Sequence, residues 1–291
     1  MRAVIVGGTG TLGTALIERL HAGHDVVCFS RGELAQSLMR KRFPAVDCQI
    51  GDVRDRRAVR QALRGADTVF LLAAIKHIDV AEQNPLEAIK TNVMGAVVVA
   101  EEAIACGVKH VMFSNTDKAI LPISTYGYTK ALAQNYILAQ NDKSPTRFSS
   151  FAWGNVAASR GRVIPIFVKA LLSGQPVTVT DARMTRFWLT IDQAADFILQ
   201  TYRTASRDRA MIPPVKAATV LRVVESLARV LKVTRYEIVY TGLRGVEKIN
   251  EVLQSTHEAC LRSDTCEQFS DAELDAMLRP IVCRLLEENA A

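Results

Sequence analysis

The sequence predicts an α/β fold with a doubly wound parallel sheet, followed by a smaller C-terminal lobe. In the first half of the chain, short apolar segments alternate with segments whose apolar residues recur at helical spacing. Such repeated β-α-β units are typical of a parallel sheet with helices on both faces. After about Asn155 this alternation ends, and helices separated by short strands are expected.

The strands of the predicted sheet are short segments of four or five residues, a length that suits buried strands. They are Ala3–Val6, Val26–Phe29, Asp47–Ile50, Thr68–Leu72, His110–Phe113 and Arg147–Phe151. Helices are predicted between them, notably over Leu12–Leu20, Pro85–Cys106 and Tyr126–Gln140.

The second half predicts a different arrangement. Helices are expected over Ser159–Gln175, Ile191–Tyr202, Thr219–Leu231 and Ser270–Glu288, with strands over Val177–Thr180 and Tyr236–Tyr240. We expect residues 1–155 to form the first domain, with 186–212 packing back onto it. Residues 156–185 and 213–291 are expected to form the second lobe.

Composition favours a globular protein of the cytoplasm. The 291 residues are 49% hydrophobic, enough for a sizeable core, and no apolar run approaches the roughly 20 residues of a membrane span. The chain begins directly with a strand rather than a signal peptide. The six cysteines show neither C-x-x-C nor metal-ligand spacing, so we expect reduced thiols and no metal site. The net charge of +6 is scattered without a recognition motif, which argues against nucleic acid.

A glycine-rich turn after the first strand predicts a dinucleotide site. Residues 7–13 read Gly-Gly-Thr-Gly-Thr-Leu-Gly and lead into the first helix. Glycines allow the backbone to approach a pyrophosphate, and the helix N-terminus offers unpaired N–H groups. The residues assigned to the cofactor here are Gly7, Thr9, Gly10, Thr11, Leu12 and Gly13.

The ends of the next strands favour NADP over NAD. Ser30 and Arg31 follow the second strand, where NAD sites usually carry an acid, and this pair suits the 2′-phosphate of NADP. Asp52, followed by Val53, is placed to meet the adenine amine. Ala73 and Ala74 leave room for the cofactor after the fourth strand.

Two residue pairs between Ser114 and Lys130 carry the predicted chemistry. Tyr126 and Lys130 lie four residues apart, so they share a helix face. A Tyr beside a Lys ammonium suits proton abstraction from an alcohol. Asp117 and Lys118 add an acid next to an amine, which indicates that a second proton moves.

Four longer motifs resemble those of UDP-N-acetylglucosamine 4,6-dehydratases, which are extended short-chain dehydrogenases/reductases. They are AAIKHIDVAEQNPLEAIKTNVMG (73–95), NTDKAILPISTYGYTK (115–130), GNVAASRGRVIP (154–165) and TVTDARMTRFWLT (178–190). The resemblance covers roughly residues 3–255. The Tyr at position 126 makes it most similar to the soluble, C5-inverting type that starts pseudaminic acid synthesis.

The resemblance implies an internal redox cycle in which NADP takes a hydride from the sugar C4 and returns it to C6. Tyr126 would take the proton of the 4-hydroxyl, with Thr116 hydrogen-bonded to that oxygen. Lys118 would abstract the C5 proton, and Asp117 would protonate the departing 6-hydroxyl. Lys130 would also hold the nicotinamide ribose.

The resemblance also implies a Rossmann domain for NADP and a second lobe for a UDP-sugar, in a homo-oligomer (dimer or hexamer) without a membrane partner. Arginines suit the diphosphate because their guanidinium groups bind it bidentately. The residues that match the family's nucleotide contacts are Asn155, Arg160, Arg186, Arg244 and Glu247; Lys76 is a further candidate for cofactor or substrate.

Two other functions stay open. A nucleotide-sugar 4-epimerase or reductase of the same fold needs Tyr, Lys and a Ser or Thr, but no Asp-Lys pair. A non-catalytic NADPH-binding regulator would be free to lose the Tyr, the Lys or the acid, yet all are present. The sugar also stays open, because Asn115, Ser124 and Trp153 depart from the family pattern.

Overall fold

The computed structural model describes residues 1–157, 163–204, 210–254 and 260–290. The chain divides into two compact units. The first contains Met1–Ala152 and Ala195–Ile212, and the second contains Trp153–Ala194, Pro213–Leu253 and the C-terminal segment from Cys260.

Strands in the described part of the chain are numbered in order. They are β1 (Arg2–Val6), β2 (Asp25–Ser30), β3 (Asp47–Ile50), β4 (Thr68–Leu71), β5 (His110–Ser114), β6 (Arg147–Phe151), β7 (Asn155–Val156), β8 (Val177–Val179), β9 (Thr185–Leu189), β10 (Ala210–Met211), β11 (Lys216–Thr219), β12 (Ile238–Tyr240), β13 (Val252–Leu253) and β14 (Leu261–Arg262).

Helices are numbered in the same way. They are α1 (Thr11–Leu20), α2 (Glu33–Arg42), α3 (Arg56–Leu63), α4 (Ile78–Gln83), α5 (Pro85–Ala88), α6 (Gly95–Ala105), α7 (Thr125–Leu138), α8 (Val163–Ser173), α9 (Ile191–Thr204), α10 (Val220–Leu231) and α11 (Asp271–Ala290). A π-helical segment, Ile89–Met94, joins α5 to α6, and Asp117–Ala119 forms a 3-10 turn. None of these helices is long and apolar enough to cross a membrane.

The first unit is built on a parallel sheet with the strand order β10-β6-β5-β4-β1-β2-β3 among the described residues. The predicted doubly wound sheet is confirmed, and its six predicted strands agree with the structure within one residue at each end. β10 was not predicted, because two residues give no periodic pattern. The strand order reverses at β1 and β4, where ligands of such sheets bind at the carboxyl ends.

Apolar side chains of the central strands form the core of the first unit. Val4, Val6, Val69 and Phe113 are at most 1% exposed. Such strands are buried on both faces, which explains why they appear in the sequence as continuous apolar runs. The core therefore fixes the strand ends that carry the candidate site.

The second unit combines small sheets with helices. β7, β9 and β11 form one sheet, and β8 pairs with β12. Helices α8, α10 and α11 bury Phe167, Leu227 and Leu278 in a shared core. The predicted helices of this half are present in the described residues, although the predicted start at Ser159 lies outside them.

Candidate active site

The glycine turn between β1 and α1 is too tightly packed for side chains. Gly7 has a φ of 90°, and a Cβ atom there would lie 2.8 Å from the backbone nitrogen of Ala73. A Cβ atom at Gly13 would lie 2.5 Å from the carbonyl oxygen of Gly8. Gly10 is the N-cap of α1 and has no side chain to occupy the first N–H groups. These groups fit the pyrophosphate of a dinucleotide.

The predicted adenosine end is also near this turn. Thr9 Oγ1 donates a hydrogen bond of 2.9 Å to Ser30 Oγ at the end of β2. The neighbouring Arg31 is exposed, and its guanidinium lies 3.7 Å from Asp52 Oδ2. Both carboxylate oxygens of Asp52 accept hydrogen bonds from Arg54, which hold the pKa of Asp52 below its usual range. The Asp52 carboxylate can therefore accept a hydrogen bond from the adenine amine only with the lone pairs that Arg54 does not use.

The segment after β4 passes beside the glycine turn and is held by Asn92. Ala73, Ala74 and Lys76 are half-buried there. Asn92, in the π-helical segment, accepts a hydrogen bond of 2.8 Å from the backbone nitrogen of Ile75 and donates one of 3.0 Å to its carbonyl oxygen. A further bond of 3.0 Å links the same amide to Thr129 in α7. One amide thus fixes the Lys76 segment to the helix of the Tyr-Lys pair.

Helix α7 places Tyr126 in its first turn and Lys130 one turn later. Ser124 caps the helix by accepting a hydrogen bond of 3.1 Å from the backbone nitrogen of Gly127. Tyr126 is 6% and Lys130 is 3% exposed. The Lys130 ammonium donates a 2.6 Å hydrogen bond to the carbonyl oxygen of Ser114 and lies 3.9 Å from the centroid of the Phe113 ring. Burial lowers the pKa of Lys130 to about 7, because the charged form loses its water.

Asp117 and Lys118 follow β5 in a 3-10 turn. Asp117 is fully buried, and its Oδ1 atom accepts hydrogen bonds of 2.9 Å from Thr116 Oγ1 and 3.0 Å from Lys118 Nζ. Its Oδ2 atom is buried without a hydrogen-bond partner among the described residues. Because a buried, unpaired carboxylate oxygen is costly, this atom suits a proton or an incoming hydroxyl.

The five predicted catalytic residues are therefore carried by one end of the first unit's sheet. The loop after β5 supplies Thr116, Asp117 and Lys118, and α7 supplies the Tyr-Lys pair. The backbone of Gly127 in α7 packs directly on the carbonyl oxygen of Lys118. An acid, two amines and a phenol held in this way are suited to moving more than one proton.

The second unit holds the residues predicted for the nucleotide. Asn155 in β7 pairs with Trp188 of β9, and Arg244 and Glu247 lie in one turn, where Glu247 Oε2 is 3.4 Å from the backbone nitrogen of Arg244. Arg160 lies outside the described residues.

Arg186, which the sequence predicts as a nucleotide contact, is bonded to backbone carbonyl groups in the structure. It is 8% exposed in β9, and its guanidinium donates to the carbonyl oxygens of Thr185 (2.7 Å), Lys248 (2.9 Å) and Ile249 (3.0 Å). A guanidinium has five N–H donors, so these bonds leave few for a phosphate. In this arrangement Arg186 fixes the segment that follows Arg244 and Glu247.

Comparison with known proteins places the chain in a family. The pattern of the family described as "Polysaccharide biosynthesis protein" matches residues 3–272. This chain belongs to that family. The predicted relationship to extended short-chain dehydrogenases/reductases is thereby confirmed.

Individual relatives of this chain include two kinds of enzyme. The chain is 35% identical to a UDP-N-acetylglucosamine 4,6-dehydratase (inverting) of Campylobacter jejuni, covering 89% of this chain and 78% of that protein. It is also 35% identical to a UDP-glucose 4-epimerase of Rickettsia massiliae, covering 91% and 81%. The X-ray structure of Pen from Bacillus thuringiensis is 30% identical, with a TM-score of 0.90 and 98% of each chain covered. These similarities support the fold and the family. They do not distinguish a dehydratase from an epimerase, because both relatives are 35% identical to this chain.

Sequence reasoning missed several residues that build the site of this family member. Asn92 and Gly127 lie inside helical segments, where both residue types are disfavoured, and that mismatch is the signal that could have found them. Glu82 in α4 accepts a 2.5 Å hydrogen bond from the backbone nitrogen of Thr125, at the start of α7. Glutamate is ordinary in a helix, so its position gives no comparable signal. The described residues contain no cluster of His, Cys, Asp or Glu that could hold a metal ion.

Proposed function

We propose that this protein is an NADP-dependent lyase that removes water from a UDP-hexosamine. UDP-N-acetylglucosamine is the favoured substrate, and the product is a UDP-4-keto-6-deoxy-hexose with C5 inverted. The observation that carries this proposal is the buried Asp117-Lys118 pair next to the Tyr126 helix. A 4-epimerase has no use for a second acid and base, whereas water elimination needs both.

The roles follow from what each side chain can do where it lies. Tyr126 takes the proton of the sugar 4-hydroxyl. Bound NADP would supply the hydride chemistry, as the acceptor from C4 and the donor to C6. The 4-keto group acidifies the C5 proton, which Lys118 removes. Asp117 delivers a proton to the departing 6-hydroxyl, so that water leaves rather than hydroxide. As the hydride is restored at C6, a proton is added back to C5, and C5 is inverted because this proton arrives on the opposite face. Proximity supplies part of the acceleration, because the acid and the base are adjacent on one turn.

Binding is divided between residues of the two units. In the first unit, the turn at Gly7–Gly13 and the Ser30-Arg31 pair bind NADP. In the second unit, Asn155, Arg244 and Glu247 bind the UDP moiety, with Arg186 fixing their segment and with Arg160 as a further candidate.

A 4-epimerase is the second candidate, and the similarity to the Rickettsia massiliae protein favours it. Both reactions start with the same oxidation at C4, for which Tyr126 and Lys130 suffice. They differ after that oxidation, because an epimerase returns the hydride to C4 and breaks no C–O bond. The mass of the product therefore separates them.

The deciding experiment incubates the purified protein with NADP+ and UDP-N-acetylglucosamine and examines the products by mass spectrometry. The dehydratase is expected to give a product lighter by one water, without net consumption of the cofactor. A product of unchanged mass but altered C4 configuration would establish the epimerase instead. Absence of any dehydrated product from a panel of UDP-hexosamines, with cofactor binding intact, would overturn the proposal.

A further inference from the structure

Gln36 is a buried amide on a helix that exposes most of its residues to solvent. It is 1% exposed in α2, most of whose other residues are exposed. Its Nε2 atom has two N–H donors, and the shortest contacts are 2.9 Å to Ser30 Oγ and 2.9 Å to the carbonyl oxygen of Gln49. The carbonyl oxygens of Cys28 (3.1 Å) and Ser30 (3.4 Å) lie farther away. The Oε1 atom of Gln36 is buried without a partner among the described residues. The amide therefore presents its donor end to a group of oxygens at the ends of β2 and β3.

This arrangement determines where the Ser30 hydroxyl can donate. Ser30 Oγ accepts one hydrogen bond from Gln36 Nε2 and another of 2.9 Å from Thr9 Oγ1. A serine hydroxyl has two lone pairs and a single proton. Because both lone pairs face donors, the proton must point in the remaining direction. Ser30 is half-buried at the carboxyl end of β2, beside the glycine turn, so a ligand of that turn is the acceptor we assign to this proton.

We propose that Gln36 is a positioning residue that sets the cofactor specificity of this protein by holding Ser30 as an obligatory donor. The inference rests on the proposed use of NADP and deepens it. The partner of the Ser30 proton is then the 2′-phosphate of NADP, beside the exposed guanidinium of Arg31. Gln36 itself does not touch the cofactor.

A Ser30 hydroxyl that can only donate favours binding of a 2′-phosphate over binding of a ribose 2′-hydroxyl. Phosphate oxygens are acceptors at neutral pH, so they gain from a hydroxyl whose proton is already directed at them. A ribose hydroxyl both donates and accepts, and it pairs with a serine in either orientation. Removing the Gln36 donor therefore weakens NADP binding and leaves NAD binding nearly unchanged.

The test is calorimetric titration of NADP+ and NAD+ into the full-length protein and into Gln36→Met, which keeps the length of the side chain but has no N–H donor. We expect NADP+ to bind about tenfold more weakly, in line with loss of alignment in a charge-assisted hydrogen bond, and NAD+ to change less than about twofold. Ser30→Ala should show the same selective loss. The double variant should lose no more than Ser30→Ala alone, because both changes act through one hydroxyl.

Met39→Ala is the matched control, since Met39 is buried on the same helix one turn later and donates no hydrogen bond to Ser30. It should affect both cofactors equally. If Gln36→Met also weakens both cofactors equally, Gln36 is only a packing residue and the inference fails while NADP use stands. If the unaltered protein prefers NAD+, the proposed cofactor itself fails, and the inference fails with it.

Discussion

The backbone of Gly127 lies against the carbonyl oxygen of Lys118, so close that a methyl group on Gly127 would overlap this oxygen. The contact joins the helix that carries Tyr126 and Lys130 to the turn that carries Asp117. The position of one proton-transfer pair is thus coupled to that of the other through the backbone.

Replacing Gly127 with alanine should therefore damage the enzyme, although alanine is the better helix former by about 1 kcal/mol. The new methyl group must displace the Lys118 carbonyl or tilt α7. We expect dehydration to slow by about tenfold or more, because small displacements of catalytic groups have effects of this size. Steady-state kinetics and thermal melting of Gly127→Ala measure both effects. Gly23→Ala, at a glycine with open space around it, is the control and should keep full activity.

Removing the Lys118 amine should separate oxidation from elimination. Wild type working in D2O is expected to place deuterium at C5 of the product. Lys118→Ala should lose that exchange and yield no dehydrated sugar, while oxidation at C4 persists, because Tyr126 and Lys130 are untouched. Mass spectrometry detects the label, and absorbance at the reduced nicotinamide detects the oxidation. Deuterium at C5 in the variant would show that another group removes this proton.

The buried Lys130 should lower stability at neutral and acidic pH. Its pKa falls to about 7 in the folded chain through burial, whereas the unfolded chain keeps the ordinary high value. The unfolded state therefore binds more protons between these values, and the contribution of Lys130 to stability rises with pH across that interval. Lys130→Met should raise the free energy of unfolding at pH 6 by on the order of 1–3 kcal/mol. That gain should shrink toward pH 10, while activity is lost at every pH. An equal gain at both pH values would contradict the assignment.

His110 should make the first unit sensitive to acid. It is 2% exposed, accepts a 2.9 Å hydrogen bond from Arg147 at Nδ1 and lies 2.9 Å from Ser149 Oγ at Nε2. Burial, with the Arg147 charge as the second cause, lowers the pKa of His110 to about 3. The unfolded chain takes up this proton near pH 6.5, so stability should fall by up to about 1.4 kcal/mol per pH unit as the pH drops from there toward 3.

Denaturant unfolding between pH 4 and pH 8 measures this dependence. His110→Gln keeps a neutral polar side chain and should show a flatter profile than the unaltered protein. The same slope in both proteins would exclude His110 as the source.

The local sequence pattern was enough to predict β1 to β6 and the candidate site residues. β1, β2, β4, β5 and β6 are largely buried runs, and the glycine turn follows the first of them. The sequence pattern could not predict the contacts that hold the site residues in place. Asn92 acts on Ile75 and Thr129, which lie far from it in sequence, and Gln36 acts on the ends of two other strands. Hydrogen bonds between residues distant in sequence produce no periodic pattern in the sequence from which they could be predicted. Arg186 shows the same limit, since only the folded chain brings Lys248 and Ile249 to its guanidinium.

The late position of β10 has a consequence for synthesis on the ribosome. Ala210 and Met211 pair with β6, and Tyr202 of α9 stacks on His110 at a ring distance of 5.5 Å. Ser150 and Phe151 of β6 therefore lack their β10 partners until translation has passed through residues 153–194 of the second unit. An open edge strand is a template for association with other chains. A fragment that ends at Ala152 would expose the backbone groups of Ser150 and Phe151, and we expect it to associate more readily than the full-length chain.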